Sequence, residues 1–161
     1  DLAIISLLLG TGIRVSECVG LNIDDIDFNN NAFTVTRKGG NRSTLYFSDE
    51  IKAVLIDYME ERKEKNINEK ALFLSLRDKR ISVRAVEYLV KKYAKIISPL
   101  KKITPHKLRS TYGTNLYKAT KDIYVVAEVL GHKDVNTTKK HYAAISEDIK
   151  KEASTKVKLR N

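Results

Sequence analysis

Cysteine is nearly absent from this chain: Cys18 is the only one in 161 residues. A lone cysteine excludes an internal disulfide and a cysteine-based zinc site, and it fits a reducing cytoplasm. Long hydrophobic runs are missing too. The apolar stretch Leu2 to Leu9 is too short to cross a bilayer, and nothing resembles a signal peptide. There is no Walker-type glycine loop, no carboxylate cluster at metal-ligand spacing, no repeat and no low-complexity segment. Metal-dependent and nucleotide-driven chemistry therefore have no visible foothold.

What is abundant is positive charge. Thirty Lys+Arg stand against 20 Asp+Glu, a formal net charge of +10, and the pI is about 9.6. Such an excess favours a polyanionic partner through counterion release, with solubility as the plainer alternative. With 42% hydrophobic residues, a chain of this length can bury one ordinary core, so a single domain over 1–161 is expected.

Asp1 to Leu9 reads as a buried helix closed by Gly10-Thr11-Gly12. No cap precedes it, which suggests a fragment of a longer protein. Ile13-Arg14-Val15-Ser16-Glu17 follows, with Ser16 placed to cap a short helix through Leu21. Arg14 is then held between two helix ends, although a surface ion pair with Glu17 or Asp24 would also explain it. From Asp25 to Phe28 and from Ala32 to Thr36 the pattern alternates as strands do, with Asn29-Asn30-Asn31 as the turn. Arg37 to Arg42 reads as a basic hairpin tip and Thr44 to Phe47 as the returning strand. Taken alone, Lys38 on that tip reads as a solvated charge sooner than as a catalyst.

Ser48 caps the next helix, whose Ile51, Val54, Leu55, Tyr58 and Met59 recur at helical spacing, and Glu60 to Lys65 reads as its solvated end. Ala71 to Leu74 is a short buried element of undefined type, and Arg77 to Arg80 a basic turn. Ser82 caps a helix with the stripe Val83, Val86, Leu89, Val90, Tyr93 and Ile97. Thr104-Pro105 is a helix start that sets His106 and Arg109 one turn apart on one face. Asp122 caps a helix ended by Gly131, leaving His132 on a loop. A last helix, roughly 136–148, carries Tyr142, and a basic tail follows. The expected fold class is α+β, mostly α, with a small three-stranded antiparallel sheet.

Singly these signals are common; their order is not. Thr11-Gly12-Ile13-Arg14-Val15-Ser16-Glu17, a Lys38-Gly39 hairpin, His106-x-x-Arg109, Leu130-Gly131-His132, Thr137-Thr138, and Tyr142 ten residues after His132 resemble the tyrosine recombinase family of phage-type integrases. The resemblance covers nearly the whole chain. It implies that Tyr142 attacks a DNA phosphodiester to give a 3′-phosphotyrosine and a free 5′-hydroxyl. It implies that Arg14 and Arg109 hold the non-bridging oxygens and His106 helps move the nucleophile's proton. By the same resemblance His132 donates a hydrogen bond to the phosphate, Lys38 protonates the leaving oxygen, and Glu17 orients Arg14. Because the ester stores the bond energy, the resemblance implies no cofactor, neither ATP nor metal.

The chemistry suits these residue types. Guanidinium forks bind phosphate oxygens in pairs and stay charged. A phenol, with a reference pKa near 10, needs neighbouring cations to favour phenolate. Arg37, Arg42, Arg77, Lys79 and Arg80 are the expected DNA-binding cations. Arg37 stands where many members have glycine, and His141 beside Tyr142 reads as a packing or surface residue. The resemblance further implies double-stranded DNA as partner and a bacterial, nucleoid-associated location with no membrane. It implies a missing N-terminal core-binding domain, a monomeric isolated domain, and a DNA-bound tetramer joined through C-terminal tails. For that tail, Lys156 to Arg160 alternates as an edge strand would, burying Val157 and Leu159. An integrase of a phage or mobile element is the expected parent. A chromosome-dimer resolvase, a type IB topoisomerase-like enzyme and a silent DNA-binding module are the alternatives.

Overall fold

The computed structural model describes residues 1–97, 102–132 and 134–156. The chain divides into two compact units, Asp1–Thr111 and Tyr112–Asn161. The described residues are mostly helical, with one three-stranded antiparallel sheet, as expected.

In the first unit, α1 (Leu2–Thr11) ends at Gly12, which takes the left-handed conformation at φ 69°. Its apolar face, Ala3, Ile4, Leu7 and Leu8, is buried, and α1 packs against α3 (Asp49–Glu64). Ile4, Leu7 and Leu8 each contribute about 1.5–3 kcal/mol through burial. The short helix α2 (Val15–Val19) packs on α4 (Val83–Ile97). Arg14, not Ser16, occupies the position before α2. The Glu17 carboxylate accepts the Arg14 backbone N–H at 2.9 Å, satisfying a donor that Ser16, inside the helix, does not.

The sheet runs in the order β1 (Ile26–Asp27), β2 (Ala32–Thr36), β3 (Arg42–Tyr46). Phe33 pairs with Leu45 and Ile26, and Thr36 pairs with Arg42. Arg42 is therefore a strand residue rather than part of the tip, because the tip closes more tightly than the pattern suggests. Arg37 N–H donates to the Asn41 carbonyl at 2.6 Å, and Lys38–Gly40 forms one 3-10 turn. Gly39 and Gly40 sit at φ 81° and 79°, where a side chain would be strained. On the inner face Phe33 stacks on Phe47 at 6.0 Å.

Ser48 caps α3 by accepting the Ile51 N–H, and Ser82 accepts from Ala85. The expected solvated end of α3 is not uniformly solvated. Arg62 is buried, and its Nη2 donates to the carbonyls of Ala71, at 2.7 Å, and Glu69. Those carbonyls belong to the segment that bridges Asn22 to Ala71 and Leu74 to Arg80, so an arginine stem crosses the core surface to close it. On α4, Val86 and Val90 are buried as the stripe predicts and Val83, Leu89 and Tyr93 are half-buried; Ala94, outside the stripe, is buried too, but Ile97, in the last turn, is 82% exposed. Burial stops at Ala94 because the final turn outruns the packing on that face.

Helix α5 (Pro105–Thr120) starts in the first unit and its C-terminal half belongs to the second. Thr104 accepts the Lys107 N–H at 3.1 Å, the cap that Thr-Pro predicts. In the second unit, Asp122 caps α6 (Ile123–Leu130), and Gly131 closes it. The expected single last helix is two: α7 (Val135–His141) and α8 (Ala143–Ser154), with Tyr142 at the break (φ −110°, ψ 21°). Tyr142 leaves helical geometry as its ring enters a cluster with Tyr117, Val126 and Leu130. The expected tail strand, with Val157 and Leu159, lies outside the described residues. Among the described residues no helix is long and apolar enough to cross a membrane.

Candidate active site

The first unit carries four of the six expected catalytic side chains. Arg14 sits in extended backbone (φ −71°, ψ 150°) between α1 and α2, with its side chain partly exposed. Two residues before it, the Gly12 carbonyl accepts a 2.6 Å hydrogen bond from Arg109 Nη1. The bond joins residues 97 positions apart in sequence. It ties the start of α5 to the loop that presents Arg14, so both guanidinium groups belong to one framework. Arg109 is buried, and His106, one turn earlier on α5, is exposed. Lys38 is exposed on its glycine turn.

Glu17 lies under Arg14. Its side chain is only 3% exposed, with Oε2 3.6 Å from Arg14 Nη1 and 3.8 Å from Arg37 Nε. Burying a carboxylate is costly unless charge and hydrogen bonds compensate, and here two guanidinium groups and one backbone N–H do so. Burial of Arg37 pushes its guanidinium pKa down, Glu17 pulls it back up, and Arg14 lowers it again.

The expected DNA-binding cations separate into two sorts. Arg77 and Lys79 are exposed. Arg42 is exposed but pairs with Asp25 at 2.5 Å and donates to Thr36 at 3.1 Å. Arg80 has a different task, since Nη1 donates to the carbonyls of Val19 (2.8 Å) and Leu21 (3.0 Å) and Nη2 to Asn22 Oδ1. It clasps the turn after α2. Arg37, with a side chain 8% exposed, is likewise held inside the unit.

The second unit carries His132 and Tyr142. The backbone N–H of His132 donates to the Ala127 carbonyl at 2.9 Å, and its Nδ1 lies 2.5 Å from the hydroxyl of Thr138, a fully buried residue. Thr138 thus sets the plane of the imidazole, a role unassigned from sequence although the Thr-Thr pair one turn before Tyr142 marks its place. Tyr142 is 3% exposed and meets Tyr117 edge-on at 5.9 Å and His141 at 4.8 Å. Its hydroxyl lies over α5 at Gly113, where an added Cβ would come within 2.0 Å of it. Glycine inside a helix is a readable sign of close approach, and Gly113 is the signal in the sequence for this one. His141 is exposed, with its ring against Tyr142.

In the first unit one side-chain bond fastens Arg109 to the loop that carries Arg14, and in the second Tyr142 stands at the break between α7 and α8. The chain belongs to the phage integrase family, whose profile matches residues 1–148. Its relatives narrow the comparison. It is 43% identical to tyrosine recombinase XerC of Caldanaerobacter subterraneus subsp. tengcongensis over 141 residues, 86% of this chain and 39% of that protein. It is 40% identical to tyrosine recombinase XerS of Streptococcus agalactiae over 163 residues, 98% of this chain and 45% of that one. Among solved structures, XerA recombinase matches with a TM-score of 0.83 at 29% identity, covering 93% of this chain and 57% of that one. The Tn1549 transposon integrase in complex with circular intermediate DNA matches at 0.71 and 26%, covering 87% and 54%. The chain spans less than half the length of these two curated relatives.

Proposed function

We propose that this chain is the catalytic part of a site-specific recombinase that cuts and rejoins double-stranded DNA through Tyr142. The observation that carries the reading is the Arg109–Gly12 bond, which builds the His106-x-x-Arg109 helix and the Arg14 loop into one phosphate-binding frame. In the cleavage step Tyr142 Oη bonds to phosphorus as the bond to the 5′-oxygen breaks. Arg14 and Arg109 neutralise the non-bridging oxygens, His106 assists removal of the phenolic proton, and His132 donates to the phosphate. Lys38 gives its proton to the departing 5′-oxygen, which would otherwise leave as a poor alkoxide. Little covalent work remains for the protein beyond the nucleophile, so positioning and charge stabilisation supply the rate. Rejoining reverses these steps with a new 5′-hydroxyl.

The names of the curated relatives, XerC and XerS, favour a resolvase that separates joined chromosomes over an element's integrase. Likeness to the Tn1549 integrase supports integration as the second reading. Nicked duplexes from a genomic library, incubated with the intact protein, should yield a covalent protein–DNA band that resists denaturant and excess chelator. Tyr142→Phe should abolish it, and a band persisting in that variant would refute the nucleophile assignment. Captured sites clustered at one chromosomal locus would mark a resolvase, and sites at the ends of a mobile element an integrase. Relaxation of plasmid lacking any captured site would mark a topoisomerase instead.

A further inference from the structure

Arg37 was expected to face DNA, yet its side chain is nearly as buried as the core, at the base of an otherwise exposed turn. Three features surround it. Its backbone N–H closes the turn on the Asn41 carbonyl, and its own carbonyl accepts the Gly40 N–H at 3.1 Å. Its Nε lies 3.8 Å from Glu17 Oε2, the oxygen that is also 3.6 Å from Arg14 Nη1. The other oxygen of the same carboxylate holds the Arg14 backbone. The next residue along the chain is Lys38. One buried carboxylate is therefore shared between the arginine expected to bind phosphate and the residue that carries the expected general acid.

Resting on the function proposed above, we propose that Arg37 is a positioning residue that ties the Lys38 turn to the Arg14–Glu17 pair. The turn itself offers little rigidity: Gly39 and Gly40 both lie at positive φ, and a Cβ at Gly40 would meet nothing within 4 Å. Without a tether at its base, Lys38 would sample many positions around the leaving oxygen, and proton donation depends on hydrogen-bond reach. A guanidinium suits the tether because it keeps its charge when buried and meets a carboxylate along more than one edge.

The test separates placement of Lys38 from general damage. Single-turnover adduct formation is measured on captured nicked duplexes in two forms, one with a normal bridging 5′-oxygen and one with sulfur there, which departs without a proton. Arg37→Met should slow the oxygen substrate by about tenfold or more, a part of the roughly 10²–10⁴ available from general acid catalysis. It should slow the sulfur substrate much less, and Arg37→Lys should recover part of the loss. If Arg37→Met does not fold, as judged by circular dichroism, the same ratio is read from Arg37→Lys and Arg37→Gln. Equal slowing on both substrates, or none on either, would overturn the proposal while leaving the recombinase reading intact. Lys38→Ala is the control: equal defects there would remove the general acid and this inference with it. Absence of any wild-type adduct would overturn both readings.

Discussion

Tyr142 and Gly113 occupy one small volume of the second unit. Replacing a glycine inside a helix by alanine ordinarily gains about 1 kcal/mol. Here the new methyl group would come within 2.0 Å of the Tyr142 hydroxyl, 3.1 Å of its Cζ and 3.2 Å of Leu130 Cδ1. Gly113→Ala should therefore lose roughly 1–3 kcal/mol, the usual cost of overpacking. Removing the hydroxyl leaves only the two longer contacts, which small shifts can relieve. In a Tyr142→Phe background the loss should shrink by about 1 kcal/mol or more, the coupling expected of touching residues. Urea unfolding of the four proteins measures the cycle, and identical losses in both backgrounds would show that the hydroxyl does not lie over Gly113. Cys18 illustrates the opposite kind of residue. Burial pushes its thiol up to about 12, which keeps it protonated and inert, a packing group with no chemistry to offer.

Among the elements, α3 shows how a charged residue becomes structural. Its last two turns read as solvent-facing charge, and Glu61 is indeed exposed. Arg62 instead reaches the carbonyls of Glu69 and Ala71 and fastens the loop that bridges to Asn22. Truncation would leave a fully buried carbonyl without this donor and remove the stem's packing. Arg62→Ala should cost about 2–4 kcal/mol. Glu61→Ala should stay within roughly 0.5 kcal/mol of wild type, as surface changes do. Thermal unfolding compares them, and similar midpoints for the two variants would refute the clasp. The caps Ser48, Thr104 and Asp122 were legible because each is a local event, one side-chain oxygen meeting an N–H two or three residues on. Arg62 and Arg80 were not legible: Arg62 meets the carbonyls of Glu69 and Ala71 only where the loop after α3 folds back, and Arg80 finds its acceptors about 60 residues away.

For the whole molecule, the net charge of +10 makes salt the most direct probe of the proposed DNA partner. These 161 residues by themselves should make about 4–8 phosphate contacts, giving a log–log salt slope of about −4 to −7. The structure says which cations to remove. Arg77 and Lys79 are exposed, so Arg77→Ala should make the slope less steep by about 1 while leaving stability unchanged. Arg80→Ala should act mainly on stability, because its guanidinium holds the Val19 and Leu21 carbonyls. Fluorescence anisotropy across a salt series, paired with unfolding curves, checks both statements. A slope near zero would deny that phosphate contacts dominate, and a stable Arg80→Ala with a flatter slope would return that residue to the DNA face.

From sequence alone came the mostly helical fold with its small sheet, the capped starts of α3 to α6, the glycine end of α6, and the family to which the chain belongs. These rest on short-range physics: apolar period, capping oxygens, glycine at turns, and the order of a few reactive residues. Tertiary structure decided which charges face inward. It turned Arg37, Arg62 and Arg80 from surface cations into internal ties, drew Arg109 onto the Gly12 carbonyl, and broke the last helix at Tyr142. A charged side chain looks the same in sequence whether it meets water or a buried carboxylate. Only the approach of residues distant along the chain makes burial cheaper than hydration, and that approach exists nowhere but in the folded protein.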